Sequence, residues 1–185
     1  MSCRPLTLLS CIFVLHGCAP LGDTISPIES ACAVTIAHAA DFKHDEKRPI
    51  AVHTRAPLDG PTLQEVDANL GETPQPEKNP DTLLLRGAAE TRDVSVVSRC
   101  PALKTWLVEN EVVHSDSEIE KLIRKEPWPV SVLAMSLPFV SDDGSTAAFY
   151  ASEYSGRMGG GTDLVIYRKK GVAWVYERRL PLSIS

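Results

Sequence analysis

The sequence predicts an α+β fold: a few helices packed on an antiparallel sheet that ends in a four-stranded meander. Three observations predict it. Helix signals gather before residue 127, with two capping-box patterns and apolar residues three and four apart. After Pro129 the pattern changes to alternating segments joined by short links that hold glycine. Helices that precede a sheet, rather than interleave with its strands, give α+β order. Apolar residues make up 43% of the chain, which excludes wholesale disorder.

Taken in order, the chain starts with Met1-Ser2-Cys3-Arg4-Pro5 and an apolar run from Leu6 to Leu15. That run has the length of a signal-peptide core and is well short of the ~20 residues that span a bilayer. Residues 1–17 are expected to be an export signal. A cut before Cys18 is one outcome, and an ordinary secretory cut after Gly17, Ala19 or Gly22 is the other. Residues 18–27, with Pro20, Gly22, Ser26 and Pro27, make a tether that reaches ~30 Å when extended.

Residues 28–185 are expected to form one α+β domain. Ser26-Pro27-Ile28-Glu29 is a helix start, and the helix runs to about Phe42. Ile28, Ala31, Cys32, Thr35, Ala39 and Phe42 share its inner face, and Asp41 to Arg48 is a solvated charged stretch. Pro49 to Arg55 alternates as a strand. Five of the 14 prolines fall between Pro57 and Pro80, so residues 56–81 read as a long exposed loop with a helical turn at Leu63 to Leu70. Thr82 to Arg86 and Val94 to Ser98 read as short strands. Pro101 to Asn110 reads as a helix with Leu103, Trp106 and Leu107 on one side. Ser115 and Glu118 open another, to about Lys125, and Pro127-Trp128-Pro129 stops it.

The meander follows. Its strands are Val130 to Val140, Thr146 to Tyr154, Asp163 to Lys169 and Val172 to Leu180. The links are Asp142-Asp143-Gly144, the glycine-rich Ser155 to Thr162, and Lys170-Gly171. Leu164, Ile166 and Arg168 oppose Val165, Tyr167 and Lys169, which predicts one packed face.

Leu15-His16-Gly17-Cys18 resembles the lipobox of bacterial lipoproteins, where the cysteine sulfur receives a diacylglycerol. Leu15, Gly17 and Cys18 match, and His16 departs from the smaller residue usual there. The resemblance implies lipidation at Cys18 by three acyl chains (palmitate-like), which together hold a protein stably on a membrane. Ala19, where an aspartate favours the inner membrane, implies the outer membrane, facing the periplasm. The C-terminal part also resembles uncharacterised bacterial envelope lipoproteins. The run Leu137 to Ala147, Gly156-Arg157-Met158-Gly159-Gly160-Gly161, the hairpin through Trp174 and the closing Leu182-Ser183-Ile184-Ser185 carry that likeness. It implies fold and no catalytic residues.

With Cys3 and Cys11 in the signal and Cys18 lipidated, Cys32 and Cys100 remain, and an oxidising compartment predicts a disulfide between them. Two buried reduced thiols are the alternative. The bond would close a loop of about 69 residues, worth a few kcal/mol by the chain-entropy argument.

The net charge of −5 argues against nucleic acid as partner and against a basic membrane-binding face. No Gly-Lys-Ser/Thr phosphate loop, HExxH pair or Gly-x-Ser-x-Gly elbow occurs. No cofactor and no metal is implied. His38 and His44 read as surface histidines beside Asp45 and Glu46. Glu153, Asp163 and Glu177 are candidate hydrolase carboxylates, or exposed charges on a half-solvated sheet. The glycine loop 156–161 could cradle an anion with help from Arg157, or be a wide connection that needs positive φ. Tyr154, Arg157 and Asp163 are the candidate ligand-binding residues. The expected function is a non-enzymatic, lipid-anchored envelope protein with an envelope protein as partner. An envelope hydrolase or a small-ligand carrier, with its site between the sheet and the glycine loop, is the alternative.

Overall fold

The structure, a computed structural model, describes residues 26–57, 60–70, 80–157 and 159–184. The export signal, Cys18, most of the tether and residues 71–79 of the proline-rich loop lie outside them. No helix of the described residues is long and apolar enough to cross a membrane.

The described residues form six helices and a six-stranded, mostly antiparallel sheet, an α+β architecture. The helices are α1 (Pro27–Asp45), α2 (Leu63–Leu70), α3 (Pro80–Glu90), α4 (Val96–Arg99), α5 (Pro101–Glu109) and α6 (Asp116–Ile123). The strands are β1 (Ile50–Val52), β2 (Ser131–Met135), β3 (Phe139–Val140), β4 (Thr146–Gly156), β5 (Gly159–Lys170) and β6 (Ala173–Ile184). The sheet order is β1-β2-β4-β5-β6, with β3 paired to β4; β1 lies parallel to β2 and the other pairs are antiparallel.

The capping box of α1 forms as its residues predict. Ser26 Oγ accepts from the Glu29 N–H at 3.3 Å, and Glu29 Oε2 accepts from the Ser26 N–H at 3.0 Å. Thr62 and Glu65 build a second box ahead of α2. Ser115 makes no such bond to α6; its hydroxyl turns to Ser117 instead.

Several expectations give way. Thr82 to Arg86 lies inside α3, not in a strand: Leu84 and Ala88, four apart, are buried on the sheet while Leu83 is exposed. Three adjacent leucines mimic a buried strand. Val94 to Ser98 is mostly the single turn α4, and only Ser95 makes a strand-like bridge, to Ser136. The strand expected from Val130 to Val140 splits into β2 and β3 around Pro138; both pair with β4, and the Tyr150 N–H donates to Ser136 Oγ in the gap.

The sheet has two packed faces rather than one. Leu133, Met135, Phe149, Val165 and Tyr167 meet α1, α4 and α5. Ala148, Tyr150, Leu164 and Ile166 meet α3 through Leu84 and Ala88, and Val132 joins Ile119 of α6. Helix α3, standing where a strand is expected, supplies the cover of the second face. Cys32 and Cys100 face each other between α1 and the start of α5 with Cα atoms 5.4 Å apart, a separation that suits a disulfide.

Candidate functional site

The polar end of the α1 face is built by β4, β5 and β6. In the register Ala151 stands opposite Asp163, so Glu153, two residues on, is its diagonal neighbour on the same face. Arg179 stands opposite Val165 on β6. Its guanidinium donates to both carboxyls, at 3.4 Å to Glu153 and 3.4 Å to Asp163. Helix α1 crosses above with Asp41, Phe42 and Asp45, and Glu46 follows it.

Two depressions, of about 420 and 470 Å³, share Phe42, Glu46, Glu153 and Arg179. Tyr154, Asp163 and the glycines 159–161 line one; His38, Asp41, His44, Asp45, Tyr167 and Tyr176 line the other. Together they make an acidic groove between α1 and the sheet. Tyr154 and Asp163 both border the first depression, but the register sets Asp163 on the Glu153 face and the Tyr154 ring on the α6 face with Val132. Arg157 does not join them: it is exposed and pairs with Glu126 at 2.8 Å. Glu177 is also elsewhere, bonded to Arg168.

The glycine stretch is not a loop. Gly159–Gly161 pair as β5 with the end of β4, and none of the described glycines there has positive φ. Gly160 is needed for closeness: a Cβ there would fall 2.3 Å from the Tyr154 ring and 2.6 Å from the Glu153 carbonyl. Carboxyl groups beside this stretch disfavour the anion cradle.

His38 is the residue sequence reading misplaced. It is buried, not on the surface, and packs edge-on against Phe149 and Tyr167. The Tyr167 hydroxyl donates to Asp41 Oδ2 at 2.9 Å, so its oxygen is free to accept from His38 Nδ1, 3.2 Å away. That fixes the proton on Nδ1 and leaves a lone pair on Nε2. Nε2 is buried without a hydrogen-bond partner, 3.8 Å from Glu153 Oε1. Burial first, and the Arg179 charge second, push the imidazole down to about 4. Burial, with repulsion from Asp163 and Glu46, raises the Glu153 carboxyl against the pull of Arg179. The Tyr167 hydroxyl is raised by burial and by Asp41.

The groove thus holds a neutral histidine, a carboxyl resisting ionisation and one arginine shared by two acids. Such a site can receive a cation or pass a proton between Glu153 and His38. One signal for His38 was present in sequence: it lies three residues after Thr35 and four before Phe42, both on the inner face. Arg179 had no local signal. Among the described residues no group of three or more His, Cys, Asp or Glu is placed to hold a metal ion. No family model, curated protein or solved structure matches the chain.

Proposed function

We propose that the chain is an exported, lipid-anchored protein of the bacterial cell envelope that binds a cationic group of an envelope partner without chemical turnover. The lipobox-like Leu15 to Cys18 and the facing Cys32 and Cys100 support the address, since disulfides persist in oxidising compartments. The observation that carries the binding role is the sharing of Arg179 by Glu153 and Asp163 inside a groove also lined by Asp41, Asp45 and Glu46. Arg179 is an internal cation that an ammonium or guanidinium of the partner replaces. Tyr167 and Tyr176 add aromatic faces that favour cations.

Spermidine is a minimal probe. Calorimetry should show binding that weakens when salt is raised to ~0.5 M, and that falls about tenfold in Glu153→Gln or Asp163→Asn. Equal affinity in wild type and both variants overturns the groove as the site. Intact mass of membrane-purified protein tests the address: a product starting at Cys18 with three acyl chains supports it, and a soluble product starting at Ala19 or later overturns it.

One observation favours a second reading, an envelope hydrolase. A carboxyl raised by burial beside another acid, as Glu153 stands beside Asp163, is the pairing that general acid catalysis of glycoside cleavage uses. Turnover of a chromogenic glycoside, abolished by Glu153→Gln, would decide for the enzyme.

A further inference from the structure

On the opposite face of the sheet, at its β1–β2 end, lies another depression of about 300 Å³, which has only Tyr154 in common with the acidic groove. Val132 and Ala134 of β2 floor it, Ile123 and Trp128 wall it, and Tyr154 and His53 close it. We propose that it is a binding site for a small flat apolar molecule bearing one hydroxyl, a compound of the phenol class.

The walls select the body of the ligand. Val132 and Ala134 are buried aliphatic side chains, and Trp128 and Tyr154 present aromatic surface. The volume is at the lower limit of ligand pockets, which suits one or two fused rings.

The polar groups select the hydroxyl. His53 directly follows β1, and its side chain is only 10% exposed. Its Nδ1 lies 2.9 Å from Asp116 Oδ1. Asp116 also accepts from the Thr54 N–H at 2.9 Å and from the Thr54 hydroxyl at 2.5 Å. Burial alone would raise this carboxyl, but the bonds from Thr54 and His53 prevail and hold it at about 2. An ionised carboxylate only accepts, so the neutral imidazole carries its proton on Nδ1 and presents Nε2 as an acceptor. No hydrogen bond from the described residues reaches that Nε2. On the wall, the Trp128 indole N–H is buried without a partner. Of the polar groups that line the site, Arg55 is exposed and the Ser152 hydroxyl is bonded to Thr162, so the buried pair is the His53 Nε2 acceptor and the Trp128 donor. A hydroxyl answers both, giving its proton to Nε2 and receiving the indole N–H on its oxygen. A carboxylate has no proton for Nε2, and a plain hydrocarbon leaves both groups unpaired, which costs affinity.

The test uses the oxidised protein with 2-naphthol as probe, and naphthalene and 2-naphthoate as isosteres. Trp128 emission, isolated by Trp106→Phe and Trp174→Phe, reports occupancy. A nitrogen–proton NMR spectrum of the histidines in the unmutated chain reports the Nε2 contact. The expected result is quenching by 2-naphthol, a moved His53 Nε2 resonance, about tenfold weaker binding in His53→Phe, and the same loss on going to either isostere. Saturating spermidine leaves 2-naphthol binding unchanged, which separates this site from the acidic groove. Naphthalene binding as well as 2-naphthol, or an unmoved His53 resonance at saturation, overturns the proposal. The resonance decides the matter even if His53→Phe does not fold.

Discussion

His38 and His53 stand on opposite faces of one sheet, each near a carboxyl, and their surroundings treat them differently. His53 is pinned by Asp116 at 2.9 Å, and that carboxyl is itself held by two bonds from Thr54. His38 is bonded through Nδ1 to Tyr167, but its Nε2 meets Glu153 only at 3.8 Å. One pair is complete and the other is held short of closure. The lesson is that burial alone does not define a histidine's role; the second nitrogen does. On the α3–α6 face, Nε2 is offered to a pocket with apolar walls. On the α1 face it is kept neutral inside a groove of acids, where a proton or a cation changes the local balance.

The faces also differ in how they are fastened, and this difference can be broken most strongly at Cys32 and Cys100. They are 68 residues apart in sequence, and a bond between them would tie α1 to the start of α5. Closing a loop of that length stabilises by ~4 kcal/mol in the chain-entropy account. Urea unfolding of Cys32→Ser/Cys100→Ser should show a loss of that order, and reductant should mimic it in the parent. A reductant-insensitive midpoint would mean that the two thiols are not joined in the purified protein.

Acid should sharpen the contrast between the histidines next. The folded chain keeps His38 neutral down to about 4, whereas the unfolded chain binds the proton near 6.5. Unfolding therefore takes up a proton between those values. Stability from this residue is full above about pH 6.5, declines as pH falls, and levels off near pH 4, a loss on the order of 3 kcal/mol. Glu153, raised by burial, acts with the opposite sign: its contribution is lost as pH rises from the ordinary carboxyl range to its raised value. Asp116, held at about 2, enters only in stronger acid. The difference in urea midpoint between the parent and His38→Gln should therefore appear between pH 6.5 and 4. A parallel pair of curves across that window would remove His38 as the titrating group.

How much of this was legible in the chain follows from range. Helix α1 announced itself through Ser26 and Glu29, three residues apart, and the β4–β5–β6 hairpins through a period of two. Those signals are local. Helix α3 was missed because Leu83-Leu84-Leu85 satisfies a buried strand as well as a helix, and only packing on Ile166 and Tyr150 decides. The groove was half legible. Tyr154 and Asp163 flank the glycines, and Gly160 lies close to Tyr154 because it has no side chain. His38 and Arg179, the residues that set its charge, come from opposite ends of the domain and meet only after folding.

The smallest expected effect concerns how the α3 face is held without a covalent tie. Gly87 on α3 lies so close to the sheet that an added Cβ would fall 2.3 to 2.5 Å from the Phe139 ring. The contacting atoms are at the base of the ring, so a rotamer change does not clear them, and α3 or β3 must shift. Overpacking of this kind costs ~1–3 kcal/mol, while alanine in place of glycine in a helix returns up to ~1 kcal/mol. Gly87→Ala should therefore lower stability by about 1–2 kcal/mol in urea. Adding Phe139→Leu, which opens space at the same point, should recover part of that loss, so that the double variant is more stable than the sum of the single changes. If the two changes simply add, the contact is not what limits the approach of α3, and the face is held instead by the burial of Leu84 and Ala88 alone.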